Sequence, residues 1–138
     1  MTQSNIVSMP ARPMTIDEVH LERMTLGDRS LEREVLEIFA RQTTMTLERI
    51  AGAGGARAAA AAHTLKGSAR GIGAWRVALA AERLEEAAAG QGDETAIAAA
   101  IAELEAASFE ARVAIGLRLG EADERPAAAA IGGRLREH

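Results

Sequence analysis

The feature that most constrains the fold is a long stretch between Pro13 and Pro126 that is rich in alanine and contains no proline. Alanine favours helix because ordering its side chain costs no entropy, whereas proline removes a backbone donor and interrupts a helix. Glycines break the stretch near residues 52–55, 71–73 and 90–92, at intervals that suit helices of globular proteins. The sequence therefore predicts an all-α fold.

Composition narrows the classes of function that remain. The 138 residues are enough for one domain with its own core. A net charge of −4 argues against nucleic acid as the main partner, and two phenylalanines with one tryptophan argue against base stacking. The absence of cysteine excludes disulfides and thiolate metal sites, and it fits a reducing compartment.

The chain carries no sequence pattern for a membrane or for export. No apolar run reaches the roughly 18 to 20 residues that cross a bilayer. Residues 1–15 lack a cationic segment followed by an apolar one, which is the pattern of a secretion signal. We therefore expect a cytoplasmic protein that does not associate with membranes.

Three regions are expected along the chain. Residues 1–14 are polar and hold two of the three prolines, so we expect a flexible leader. Residues 15–120 contain the periodic apolar pattern and form the predicted helical domain. Residues 121–138 mix charges with alanines but show no clear apolar face, so we expect a flexible or frayed C-terminal tail.

Within residues 15–120 we expect a short helix over 15–24 and four long helices. The long helices are expected from a cap at Asp28 to about Ile50, over 56–70, over 74–89, and from a cap at Asp93 to Gly120. The residues of the short helix expected to turn inward are Ile16, Val19, and either His20 or Leu21.

The apolar residues of the long helices recur at spacings of three and four, which defines one inward stripe per helix. The stripe of the first long helix is expected to comprise Leu31, Val35, Ile38, Phe39, Met45 and Ile50. That of the last is expected to comprise Ile97, Ile101, Leu104, Ser108, Ala111, Ile115 and Leu119. Four such helices joined by short loops predict an antiparallel up-down-up-down four-helix bundle with a short N-terminal helix.

One histidine stands out because of its neighbours in the run His63-Thr64-Leu65-Lys66-Gly67-Ser68-Ala69. On a helix that turns about 100° per residue, Lys66, Gly67 and Arg70 share the face of His63. Leu65 lies on the opposite face, together with Ala58, Ala61, Ala69 and Ile72. An imidazole is a mostly neutral nucleophile at cytoplasmic pH. The pattern therefore suits an exposed histidine that accepts a charged group from another protein.

Small residues surround this histidine on its outward face. Ala59 and Ala60 leave a flat platform on which a partner could lie, although the general abundance of alanine explains them equally well. Gly67 costs about 1 kcal/mol relative to alanine within a helix. Room for a transferred group or a docking partner explains this glycine better than close helix packing, because position 67 points away from the core. Trp75 is expected either to border this surface or to pack over a helix end.

Other kinds of site find little support. The glycine cluster at residues 52–55 follows no strand and precedes no Lys-Ser/Thr, so it is interpreted as a turn between helices. His20 and His138 have no Asp, Glu or Cys at metal-ligand spacing, and no metal site is expected.

The run from Ala62 to Ala69, the Gly-Ile-Gly-Ala that follows, and Leu84-Glu85 resemble the histidine-containing phosphotransfer (HPt) family. Upstream, Leu26-Gly27-Asp28 and the apolar run through Phe39 are similar to its first long helix, so the resemblance spans roughly residues 15–119. It implies that Nε2 of His63 accepts a phosphoryl group from a receiver-domain aspartate and passes it to a response regulator.

The resemblance also implies the roles of the residues around His63. Lys66 would stabilise charge, and Gly67, Arg70, Ala59 and Ala60 would form the face that docks a receiver. The acidic pocket and Mg²⁺ come from the receiver, so the chain is expected to need no cofactor of its own.

The expected partners are the receiver domains of hybrid sensor kinases and of response regulators, contacted by a monomer. The chain contains no nucleotide-binding motif, so we expect a phosphocarrier without autokinase activity rather than an enzyme. One alternative is a non-catalytic adaptor bundle, but such a protein would be expected to lose His63, Lys66 and Gly67. Another is the phosphotransfer segment of a chemotaxis kinase, but no ATP-binding region follows.

Overall fold

The computed structural model describes residues 15–52, 55–90 and 93–134, with side chains as far as residue 120. All regular secondary structure in this part is helical, which confirms the all-α prediction. The helices are α1 (Glu18–Thr25), α2 (Arg29–Ala51), α3 (Gly55–Ile72), α4 (Trp75–Ala89) and α5 (Glu94–Arg134). The predicted leader, residues 1–14, lies outside the described residues, as does His138.

The four long helices pack in a closed ring. Each packs against the next in sequence, α5 returns against α2, and α3 with α4 form the most extensive contact. The short helix α1 contacts α2 and α3. Among the described residues, the backbones of α3 and α5 do not approach each other closely, so these two helices lie diagonally across the core.

Aspartates begin two of the long helices, as the sequence predicts. The carboxylate of Asp28 accepts the backbone N–H of Leu31 at 3.0 Å, and that of Asp93 accepts the N–H of Ala96 at 2.8 Å. These bonds satisfy first-turn donors that have no partner within their helix. Gly27, at φ 75°, provides the left-handed turn between α1 and α2.

Alanines supply much of the buried surface of α3 and α4. The buried residues of these two helices are Ala58, Ala61, Ala62, Leu65, Ala69, Val77, Ala78, Ala80, Ala81 and Leu84. Small side chains let neighbouring helix backbones approach closely. The two helices are therefore close enough for polar side chains at the rim of their contact to meet.

The predicted inward stripe of α2 is wrong in part. Leu31, Ile38 and Met45 are exposed, and the buried residues of this helix are Glu32, Leu36, Phe39, Thr43, Thr46 and Ile50. The buried face is rotated relative to the predicted stripe, because threonine can also line a core when its hydroxyl bonds to a carbonyl of its own helix. The hydroxyl of Thr43 donates to the carbonyl of Phe39 at 2.7 Å. A search for apolar residues alone overlooks such positions.

Two further expectations about the helices need correction. Val19 is exposed rather than inward, because Ile16 and Leu21 fill the space beneath α1. Gly120 does not end the last helix, and α5 continues to Arg134. A glycine weakens a helix by about 1 kcal/mol without stopping it, and the following sequence is rich in alanine. Of the helices described here, none is both long and apolar enough to cross a membrane.

Candidate functional site

His63 projects from the middle of α3 into solvent. Its side chain is 66% exposed, whereas Leu65, two positions along, is fully buried in the core. The helical periodicity of α3 therefore places His63 as the sequence predicts, because α3 buries one face and exposes the other.

Glu85 of α4 binds both His63 and Lys66. The Nδ1 atom of His63 lies 2.7 Å from Oε2 of Glu85, and Nζ of Lys66 lies 2.7 Å from Oε1. His63 and Lys66 are one helical turn apart, so both reach the same carboxylate across the contact between α3 and α4. The side chain of Lys66 is only 15% exposed. Its ammonium therefore neutralises Glu85 at the edge of the core.

The charge state of Glu85 determines which nitrogen of His63 is free. The Lys66 ammonium, followed by the hydrogen bond from His63, lowers the pKa of Glu85 below its ordinary value of 4.5, although burial acts in the opposite direction. Because an ionised carboxylate can only accept hydrogen bonds, Nδ1 of His63 must be the donor. In the neutral ring, Nε2 then carries the lone pair and is the nucleophilic nitrogen.

Replacement of Lys66 by methionine is expected to raise the pKa of Glu85, because it removes the largest cause of the lowering. A carbon NMR titration of the Glu85 carboxyl would measure the change, with Arg70→Met as the control that leaves Glu85 unaffected. The lowered pKa stabilises the fold above the ordinary value of 4.5, and this contribution is lost as pH falls through the folded-state pKa. An identical Glu85 titration in Lys66→Met and the parent would contradict this account.

The other residues of the predicted docking face lie on the exposed side of α3. Gly67 and Ala60 are exposed, and Ala59 is half-buried. A Cβ added at Gly67 would meet no atom within 4 Å beyond its own helix backbone, so close helix packing does not explain this glycine. Arg70 is exposed, and its Nη2 lies 3.7 Å from Oε1 of Glu82.

Trp75 follows the second of its two expected roles. Its indole Nε1 donates to Oδ2 of Asp17 at 2.8 Å, and its ring packs edge-on against His20 with centroids 4.9 Å apart. This hydrogen bond is the main cause that lowers the pKa of Asp17. Trp75 therefore secures the start of α1 to the start of α4.

Glu85 is the site residue to which the sequence analysis assigns no role. The sequence does carry a signal for its partner Lys66, which is the only lysine in the chain. All other permanently cationic side chains are arginine. That signal does not identify Glu85, which lies 22 positions from His63 on another helix. Across residues 15–52, 55–90 and 93–120, no group of three or more His, Cys, Asp or Glu could hold a metal ion.

Comparison with known families agrees with this geometry. The Hpt domain family matches residues 34–114, more than half of the chain, and the match includes His63, Lys66 and Glu85. Neither a curated protein nor a solved structure gives a significant match. The matched segment, with its exposed histidine on a helical scaffold, shows that this chain belongs to the Hpt domain family, the helical phosphocarriers of two-component phosphorelays.

Proposed function

We propose that His63 receives a phosphoryl group from the aspartyl phosphate of one receiver domain and delivers it to a response regulator. The observation that carries this proposal is the hydrogen bond from Nδ1 to Glu85, because it leaves the exposed Nε2 unprotonated. Both partners are proposed to be receiver domains, one of a hybrid sensor kinase and one of the regulator.

In the forward step, the lone pair of Nε2 forms a bond to phosphorus while the bond from phosphorus to the aspartyl oxygen breaks. The electron pair of the broken bond returns to the carboxylate of the receiver. Nδ1 keeps its proton throughout, and the anionic Glu85 stabilises the positive charge that develops on the ring. Delivery to the regulator is the same step in reverse, with a second carboxylate as the nucleophile.

Lys66 acts mainly through Glu85 in this proposal. Its ammonium keeps the carboxylate ionised and correctly placed for His63. Because Lys66 is engaged and largely covered, the exposed guanidinium of Arg70 is the cation available to phosphoryl oxygens or to an acidic receiver pocket. The charge stabilisation predicted for Lys66 is thus proposed to act on the ring of His63, through Glu85, rather than on the transferred group.

The docking surface is proposed to combine small and apolar residues near His63. Ala60 and Gly67 add almost no side-chain bulk to the outward face of α3. A receiver could therefore bring its aspartyl phosphate close to Nε2. Helix α2 packs against α3, and its exposed Ile38 and Met45 are proposed to add apolar area for the same partner.

Three further properties belong to this proposal. The receiver supplies Mg²⁺, and the chain has no autokinase activity of its own. The four long helices run up and down in alternation.

The proposal is tested by mixing the purified chain with a panel of phosphorylated receiver domains and following the labelled phosphate on each protein. Transfer to this chain is expected from at least one receiver, with the label stable in base and labile in acid as a phosphoramidate requires. The absence of transfer from every receiver that phosphorylates another Hpt domain would favour the adaptor alternative.

Replacement of Gly67 by alanine is expected to stabilise the protein by up to about 1 kcal/mol, because glycine loses more backbone freedom on folding. The added methyl group meets open space in the free protein. It would lie one turn from His63, so phosphotransfer is expected to slow, and Gly67→Gln is expected to slow it further. Thermal unfolding and single-turnover transfer measure the two effects. Unchanged transfer in both variants would show that position 67 does not contact the receiver.

A further inference from the structure

The outward face of α5 is uncharged over several turns, although no other helix in the described part of the chain covers it. The exposed residues along this face are Thr95, Ala98, Ala99, Ala102, Ala106, Phe109, Val113, Gly116 and Leu117. The three large ones, which we call the α5 stripe, are Phe109, Val113 and Leu117, with exposures of 61%, 45% and 66%. Because the opposite face of α5 fills the core, this helix is apolar on both sides. Helices of that kind are typically buried on both sides.

Side-chain sizes along the outward face of α5 allow this face to pack against the same face of a second copy in one relative orientation. Its N-terminal half carries alanines, and its C-terminal half carries the large α5 stripe. If a second α5 lies antiparallel, Ala106 of one copy faces the gap between Phe109 and Val113 of the other. Ala102 then faces the gap between Val113 and Leu117. A parallel pairing would instead place large residues against large ones and leave the alanines without contacts.

Charges at the edges of this face are arranged for the same pairing. On the edge toward α4, Glu103 and Glu110 are already engaged with Arg83 and Arg76. On the other edge, Glu105 and Arg112 make no ion pair within the described part of the chain. A two-fold axis at the level of Ser108 and Phe109 lies midway between Glu105 and Arg112 along the helix. That axis sets Glu105 of each copy opposite Arg112 of the other.

We propose that the α5 stripe joins two copies of this chain in an antiparallel, two-fold symmetric dimer. Such an interface uses the same patch on both subunits. This proposal differs from the monomer expected from the sequence. Because α3 lies diagonally across the core from α5, both copies of His63 would face outward at opposite ends, and each could meet a receiver independently.

The first test is the mass of the purified full chain by sedimentation velocity and light scattering, across roughly 1 µM to 1 mM protein, a range that suits a small interface. Twice the mass of the chain is expected at the upper concentrations. Val113→Glu is expected to weaken dimerisation at least roughly tenfold, because it places a charge among the apolar residues of the contact. Met24→Glu, which places the same charge on an exposed apolar residue of α1, is expected to leave the dimer intact.

Charge exchange tests the antiparallel register itself. Glu105→Arg and Arg112→Glu are each expected to weaken the dimer by roughly two- to tenfold, because two like-charged pairs replace two complementary ones. The double variant restores the complementary pairs with reversed direction, so its dissociation constant should return to that of the parent. Failure of the double variant to recover would overturn the proposed register.

Two results would overturn the dimer altogether: a parent chain that stays monomeric across the whole range, or a Val113→Glu variant that dimerises as the parent does. Circular dichroism verifies that Val113→Glu is folded, and Phe109→Gln takes its place if it is not. A parent that stays monomeric, together with a folded Val113→Glu variant that receives no phosphate, would assign the α5 stripe to the receiver instead. The mass measurements need no phosphate, so they fail or succeed independently of the proposed phosphotransfer.

Discussion

Replacement of His63 by glutamine is expected to abolish phosphoryl acceptance completely. The variant keeps a polar side chain of similar reach but loses the ring nitrogen that forms the bond to phosphorus. Helical content and thermal unfolding should stay close to those of the parent, because changes at exposed positions usually alter stability by no more than about 0.5 kcal/mol. The measurement is transfer of labelled phosphate from a phosphorylated receiver under single-turnover conditions.

His20→Gln is the matched control for this experiment. His20 belongs to α1 and its ring packs against Trp75, with Nε2 3.2 Å from the carbonyl oxygen of Gly71. Its replacement therefore does not disturb the Glu85 carboxylate. Full labelling of His20→Gln beside an unlabelled His63→Gln is the expected pair of results. Labelling of His63→Gln to the level of the parent would show that another residue accepts the phosphate.

Replacement of Glu85 by alanine is expected to slow phosphoryl transfer by roughly 10- to 100-fold while the maximum extent of labelling is kept. The variant removes a hydrogen bond to a charged group, typically about 1.5 to 3 kcal/mol, and each 1.4 kcal/mol changes a rate about tenfold. It also leaves Nδ1 of His63 without an acceptor and Lys66 without its counter-ion. The reaction itself is unchanged because His63 is still present.

Glu86→Ala is the control, because it removes the same charge from the next position of α4, where the side chain is exposed and lies outside the His63 contact. Nitrogen NMR of the His63 ring separates positioning from simple destabilisation. The parent and Glu86→Ala should show the proton on Nδ1, whereas Glu85→Ala should show a mixture shifted toward Nε2. A Glu85→Ala variant with the parent's rate and tautomer would remove Glu85 from the mechanism.

Local chemistry accounts for the parts of this protein that were predictable from sequence. Alanine content and the absence of proline specify helix because propensity acts within each turn of the chain. Asp28 and Asp93 start helices because a cap requires only a carboxylate and the backbone three residues later. The exposure of His63 opposite Leu65 follows from the helical repeat alone, since α3 has one buried face.

The contacts between helices were decided only by the tertiary structure. Thr43 lies on the buried face of α2, where its hydroxyl donates to the carbonyl of Phe39 in its own helix, whereas Ile38 and Met45 are exposed. Helical periodicity reports the apolar face of a helix, but it does not report which neighbour covers that face or at what rotation.

The same limit applies to the site. The sequence by itself determined that His63 is exposed on a helix with Lys66 and Gly67 beside it. Only the packing of α3 against α4 brought Glu85 to the ring and thereby decided which nitrogen is the nucleophile. Glu85 lies 22 positions from His63 along the chain, and this separation spans a turn and parts of two helices. The meeting of the two side chains depends on how closely the buried alanines let these helices approach, and spacing along one chain does not encode that distance.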